Sequence, residues 1–187
     1  MVDPARMKEL MMTDETRPAP DAAPLRQRFL EGMSQVAATV TVITTNGPQG
    51  RAGTTATAMS SVSADTPNPT LLVCINEMSS LTPILLGNGT FCVNILKDDQ
   101  ALIADVFASR MRDTYPDKFD CTDWAPGRFG QPVIAGALVA FECKLVSHYQ
   151  VGTHHVCFGE VVDAVLGDSG NSLIYASREY RTTVRPD

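Results

Sequence analysis

His154 and His155 are adjacent in this 187-residue sequence, with Cys157 two residues on, all of them metal-ligating residue types. Adjacent residues on a strand point to opposite faces, so His154 and His155 cannot easily share one ion. His155 and Cys157 would share a face, which gives two ligands and no third nearby, so no metal centre is expected. For each histidine the plain alternative is a satisfied polar residue at a strand start. No GxSxG, Walker loop or HExxH occurs, so the signatures of triad hydrolases, P-loop enzymes and zinc proteases are missing. Gly87-Asn88-Gly89 is the nearest approach to GxGxxG and lacks its final glycine, which disfavours a Rossmann dinucleotide site. The unusual stretch is Gly53–Ser63, nearly all small and rich in hydroxyls. Small side chains let a large flat ligand approach the backbone. Thr and Ser hydroxyls, with backbone N–H groups, can hold a phosphate without a cluster of Arg or Lys. Ser79 and Ser80 precede a predicted helix whose N-terminus could bind the same anion. The alternative for Gly53–Ser63 is a tightly packed Thr/Ser strand in a barrel.

The elements that must position these groups are short. Residues 1–24 hold four of the twelve prolines and are expected to form a flexible tail, with a short helix around Met7–Met12. The domain proper is then 25–187. Leu25–Met33 reads as a helix with Leu25, Phe29 and Leu30 on one side. Val36–Thr45, Thr70–Asn76, Thr90–Leu96, Ala137–Val146, His155–Val165 and Ser172–Tyr175 read as strands. On Ala137–Val146, the alternation puts Val139, Phe141, Cys143 and Leu145 on one face and Glu142 and Lys144 on the other. Ser79–Leu86 is a predicted helix closed by Gly87-Asn88-Gly89. Asp98–Ser109 is another, with Leu102, Ile103, Val106 and Phe107 on its apolar face and Asp98 or Asp99 as its cap. Arg110–Gln131 is a long irregular stretch. Many short strands and few helices predict a mainly β fold, a barrel with helical insertions.

Composition bounds the function class. The net charge of −6 and the pI near 5.0 argue against a broad nucleic-acid or anionic-membrane footprint. No apolar run is long enough to span a membrane. Cys74, Cys92, Cys121, Cys143 and Cys157 form no CxxC pair and read as small buried hydrophobes in a reducing compartment. A cytoplasmic location is the expectation.

The order of segments resembles the flavin reductase-like domain family, the small reductase components that supply reduced flavin to two-component monooxygenases. The matching stretches are FLEGMSQVAATVTVITTNGPQGRAGTTATAMSSVS, PTLLVCINEMSSLTPILLGNGTFCVNIL, GALVAFECKLVSHYQVGTHHVCFGEV and LIYASREY. Together they cover about residues 25–183. The resemblance implies a split β-barrel with a Greek-key core, binding FMN or FAD at a homodimer interface. By position it implies that Thr55, Ala56 and Thr57, with Thr54 beside them, line the isoalloxazine, and that Ser60 and Ser61 follow on the same wall. It places Asn76, Ser79 and Ser80 by the ribityl chain and phosphate, and Asn94 near the same cofactor. His154 matches the histidine that meets the nicotinamide, and Arg178 and Tyr180 match a closing motif beside the site. In Arg110–Gln131 only Lys118-Phe119 and Trp124 carry the likeness.

The implied activity is an NAD(P)H:flavin oxidoreductase that passes a hydride from NADH, or NADPH, to flavin and feeds diffusible reduced flavin to a partner monooxygenase. A 2′-phosphate would favour a nearby arginine, for which Arg51, Arg110, Arg112 and Arg128 are candidates. One alternative keeps the fold and reduces a corrinoid or ferric chelate through flavin. Another is a non-enzymatic flavin- or haem-binding protein.

Overall fold

A computed structural model describes residues 22–184. The expected Met7–Met12 helix lies outside them, as does most of the expected tail. Helix α1, Ala22–Ser34, begins three residues before the predicted Leu25. Its Leu25, Phe29, Leu30 and Met33 are all exposed, and Gln27 donates to Glu31 Oε1 at 2.7 Å one turn on.

The run Val36–Thr45, expected as one strand, is split at Val40 into β1 (Ala38–Thr39) and β2 (Thr41–Gly47). The split lets one stretch of chain serve two sheets. β1 joins β11 (Leu173–Ala176) and β12 (Glu179–Thr182) in a small antiparallel sheet. β2 lies inside a seven-stranded sheet with β3 (Gly50–Ala56), β4 (Met59–Ser63), β5 (Thr70–Asn76), β6 (Thr90–Ile95), β9 (Val139–Val151) and β10 (His154–Leu166). Its spatial order is β3-β2-β6-β9-β10-β5-β4, and every pairing is antiparallel. The two outermost strands, β3 and β4, are consecutive in sequence with only Thr57 and Ala58 between them. The sheet therefore curls until its edges meet, and this is the split barrel.

Helix α2, Leu81–Asn88, crosses from β5 to β6 and stops at Gly89, whose φ of 68° places it in the left-handed region. Its N–H bonds back to Leu85 O at 2.9 Å, the glycine-terminated end predicted for this helix. Helix α3 is shorter than expected, Ala101–Phe107, and Gln100 takes the cap position. Asp98 does not cap it. Its Oδ2 accepts from Thr182 Oγ1 at 2.6 Å and from Asn171 Nδ2 at 3.2 Å, tying β12 to the chain before the helix. These bonds, Thr182 first, hold its carboxyl below the ordinary aspartate value. Leu102 is exposed, and the buried face is Ile103, Ala104, Val106 and Phe107. Within the irregular 110–131 region, a 3-10 turn at Lys118–Cys121 precedes β7 (Trp124–Pro126), which pairs with β8 (Pro132–Ile134).

Residues Thr41–Thr45 of β2 are buried without interruption, because the strand has apolar material on both faces. Ile43 faces the barrel interior with Val73, Ile75, Leu85, Phe91 and Val93. Val42 faces a second core with Ile103, Phe107, Phe119, Ile134 and Leu173.

Two polar side chains are buried with this framework against expectation. Asn94, expected beside the cofactor, is fully buried. Its Nδ2 donates to Val42 O at 3.1 Å and Thr44 Oγ1 at 3.2 Å, and its Oδ1 accepts from Ile134 N at 2.9 Å. It brackets β2, β6 and β8. Glu142, expected on the polar face of its strand, is 3% exposed. Its Oε2 accepts from Arg128 N at 2.5 Å and Gln131 Nε2 at 3.0 Å, so the 127–131 loop supplies the donors that water would have given. Replacing Asn94 with Ala strands the Ile134 N–H and removes the bracket. We expect a loss of about 2–3 kcal/mol of unfolding free energy in urea titrations.

Candidate functional site

At the seam between β3 and β4 the barrel is closed by the chain itself, and a cleft of about 240 Å³ opens there. One wall is Thr54, Thr55, Ala56, Thr57 and Ala58. The other is Cys74, Ile75 and Asn76 at the end of β5, Ser79 before α2, and His154 at the start of β10. Antiparallel register sets the second wall, with His154 directly opposite Asn76 and Val156 opposite Cys74. His154 is exposed, and its Nδ1 lies 3.1 Å from Thr153 Oγ1. A local knot of bonds fixes the Asn76–Thr82 corner. Asn76 Oδ1 accepts from Met78 N at 2.8 Å, Asn76 O accepts from Thr82 Oγ1 at 2.8 Å, and Ser79 Oγ accepts from Leu81 N at 3.3 Å.

The first wall is braced from behind. Thr55 Oγ1 donates to Ala104 O on α3 at 2.7 Å. Lys118 Nζ donates to Gly53 O at 3.2 Å and Phe107 O at 2.9 Å. Burial, and then nearby Arg112, hold the Lys118 ammonium below the ordinary lysine value. Gly53 is required here, since a Cβ would lie 2.5 Å from the Phe107 ring. The Phe107 ring meets Phe119 edge-on at 5.0 Å, and Phe119 meets Trp124 at 5.9 Å. The Arg51 guanidinium lies 4.4 Å over Phe119 and pairs with Asp117 at 2.6 Å.

Thr55, Ala56 and Thr57 also line a second cleft of about 200 Å³, completed by Val40, Ala108, Arg110, Tyr175 and Tyr180. Tyr180 donates to Asp105 Oδ1 at 2.9 Å, and Arg110 Nη1 donates to the same oxygen at 2.7 Å. Burial first, and then the Asp105 bond, push the Tyr180 phenol up to about 12. Of the four arginines considered for a 2′-phosphate, Arg110 alone lines either cleft. Ser109 precedes it with φ of 64°, an uncommon conformation for a non-glycine residue that turns the chain from α3 into this cleft.

The structure gathers Thr54, Thr55, Ala56, Thr57, Asn76, Ser79 and His154 at one cleft and Tyr180 at its neighbour. Other expected residues stand apart. Ser60 and Ser61 lie exposed along edge strand β4, opposite Leu72 and Leu71 and past the seam. Ser80 is exposed at the α2 cap position, and its side chain makes no capping bond. Arg178 sits with Ser177 in the β11–β12 turn, both at positive φ, so it does not share the strand face that carries Tyr180. Asn94 is in the core. Sequence reasoning had not assigned Ala58, Cys74 and Ile75 to the first cleft, or Val40, Ala108 and Tyr175 to the second. Only the register and the curl of the sheet bring them in.

The first cleft is lined by hydroxyls, an amide, a thiol and one imidazole, with no charged carboxylate or cation. The cysteines offer no nucleophile. Burial raises Cys74, Cys92 and Cys121, pushes Cys157 up to about 11, and pushes Cys143 up to about 12. Among the described residues, no group of three or more His, Cys, Asp or Glu could hold a metal, and no helix is long and apolar enough to cross a membrane. The donor set and the low wall of Thr and Ala residues fit a flat, uncharged ring system with a polar tail.

Residues 33–183 match the family model described as flavin reductase like domain. An FMN reductase (NADH) of Methylorubrum extorquens is 46% identical over 161 residues, covering 85% of this chain and 90% of that protein. The 4-hydroxyphenylacetate 3-monooxygenase reductase component of Escherichia coli is 39% identical over 155 residues, covering 83% and 90%. Among solved structures, a Streptomyces globisporus NADH:FAD oxidoreductase in complex with NAD and FAD fragments superposes with a TM-score of 0.77 at 29% identity, covering 91% and 99%. The chain belongs to the flavin reductase like domain family.

The Tyr180 phenol gives a pH test of the second cleft. Its folded value near 12 lies above the ordinary tyrosine value of about 10. A raised value stabilises the fold below about pH 10, and that stability is lost as pH rises toward 12. Urea titrations across this range should show wild type losing more stability than Tyr180→Phe.

Proposed function

We propose that this member of the flavin reductase family is an NADH-dependent reductase that hands a hydride to FMN or FAD and releases the reduced flavin to a partner monooxygenase. The observation that carries this reading is the cleft at the β3–β4 seam, lined without Lys, Arg, Asp or Glu, where Thr54–Ala58 face Asn76, Ser79 and His154. When bound, the flavin itself supplies the hydride-accepting chemistry.

The chain's residues bind, orient and shield. Ala56 and Ala58 leave the wall low enough for a flat ring to lie against the backbone. Thr54 and Thr57 offer hydroxyls along that wall, while the Thr55 hydroxyl is already committed to Ala104 O. Asn76 and Ser79 serve the polar chain and phosphate from the opposite side. Tyr180 closes the far side through the neighbouring cleft. His154, exposed and steadied by Thr153, positions the nicotinamide. Hydride transfer needs proximity and orientation but no protein nucleophile, which accords with neutral thiols and no carboxylate pair in the cleft.

A phosphate held by hydroxyls and amides suits reversible binding. Micromolar affinity corresponds to about −8 kcal/mol, weak enough for the product to leave. We also place the working domain at 25–187, with 1–24 outside it, and assign the protein to the cytoplasm, where its free thiols would stay reduced. A homodimer is part of the proposal, because the flavin wall would draw on two subunits. Exposed Met78, Tyr149 and Val151 border the His154 end of the cleft and offer apolar surface to a second copy.

NADH oxidation followed by absorbance, with and without added flavin, tests the function. A rate that saturates with free FMN or FAD is expected, and no turnover with either would favour a flavin-binding protein. His154→Ala should raise the KM for NADH or lower kcat while leaving the fold intact, and unchanged kinetics would remove His154 from the mechanism. Dialysis should strip the flavin, and light scattering should report a dimer.

A further inference from the structure

A feature away from the cleft remains unused by the proposed reaction. His148 on β9 and His155 on β10 approach across the hairpin with their Nδ1 atoms 3.4 Å apart and ring centroids 5.5 Å apart. Sequence spacing pairs His155 with Cys157. The strand register instead sets His155 opposite Gln150 and His148 opposite Cys157, so the two imidazoles meet diagonally on one face.

We propose that His148 and His155 form a two-ligand chelate for a zinc-like divalent ion, with water completing the coordination. Two imidazole nitrogens about 2.0–2.1 Å from a tetrahedral zinc ion stand about 3.4 Å apart, and this is the separation the hairpin imposes. As a hydrogen bond the contact needs the two rings in opposite tautomers. As a chelate it uses the same lone pair on each. His155 is half-buried and His148 exposed, leaving the outer positions open to solvent. Gln150, directly opposite His155, is turned away to the Glu77 carboxylate at 2.7 Å, so its amide does not occupy the pair. The scaffold is rigid, because both residues lie within a long antiparallel ladder, so little order must be created on binding. His154 is the next residue on the opposite face, and an ion here would fasten the hairpin end that carries it. The assignment does not depend on the flavin reading.

Calorimetric titration of ZnCl₂ into the chelator-treated full chain tests this directly. Wild type should bind one Zn²⁺ per chain saturably. His148→Ala and His155→Ala should each weaken that binding by at least about tenfold, and the double variant should lose it. The paired Gln substitutions, which keep the hairpin polar, should behave alike and separate ligand loss from local unfolding. No saturable binding in wild type, or unchanged affinity in the double variant, would overturn the proposal.

Discussion

The two edge strands of the seven-stranded sheet, β3 and β4, form no ladder with one another, so the chain that joins them closes the sheet. Thr57 and Ala58 are that link. Ala58 O accepts from Cys74 N at 2.9 Å, which carries the β4–β5 ladder one step into the link, while β3 has no ladder to β5. Fully hydrogen-bonded closure would leave no cleft. Closure by the chain leaves backbone and small side chains facing one another across a gap, and the candidate site is that gap. The site is thus a consequence of topology, and its residue types follow. Bulky side chains at 54–58 would fill the space that the split creates.

A wall on an edge strand must be stiffened from outside, because it has a sheet neighbour on one side only. Here the stiffening comes from the second core, which packs on the face of β2 opposite the barrel interior. Phe107 packs where Gly53 lacks a side chain, Thr55 bonds to α3, and Lys118 reaches two carbonyls from the 3-10 turn. β2 transmits this support, being buried on both faces, and Asn94 locks it to β6 and β8. The long irregular 110–131 segment therefore acts mainly as a brace for the wall.

Strands β2, β5, β6, β9, β10 and β11, the glycine-ended α2 and the small-residue stretch were legible in the sequence because each rests on local pattern, whereas β3, β4, β7, β8 and β12 carried no such signal. β-branched runs, a Gly stop and an unbroken series of Thr, Ser and Ala are one-dimensional signals. What failed was three-dimensional. Alternation places Glu142 outside and the resemblance places Asn94 by the cofactor, yet both are buried, Glu142 bonded by the 127–131 loop and Asn94 by strands β2 and β8. Asp98 looks like a helix cap and is drawn to Thr182, 84 positions on. Arg178 and Tyr180 sit two apart, which on a strand would mean one face. The left-handed turn at Ser177-Arg178 breaks that rule. The second cleft was invisible for the same reason, since Val40, Ala108 and Tyr175 come from three separate elements.

The two clefts share Thr55–Thr57 yet differ in chemistry, and the difference is instructive. The first has no Lys, Arg, Asp or Glu. The second has a cation, Arg110, but Arg110 and the Tyr180 proton both bond Asp105, which is not part of the cleft lining, so the guanidinium is already paired before any ligand arrives. A phosphate entering the second cleft would have to compete with Asp105 for the guanidinium. An anionic group in the first cleft meets hydroxyls, an amide, a thiol, the His154 imidazole and backbone, with no lysine or arginine. Neither cleft therefore offers an unopposed cation, the feature that gives phosphate sites tight charge-assisted bonds. Modest, reversible affinity is the physical consequence of this arrangement, and it is what a protein must have if its product is to diffuse away.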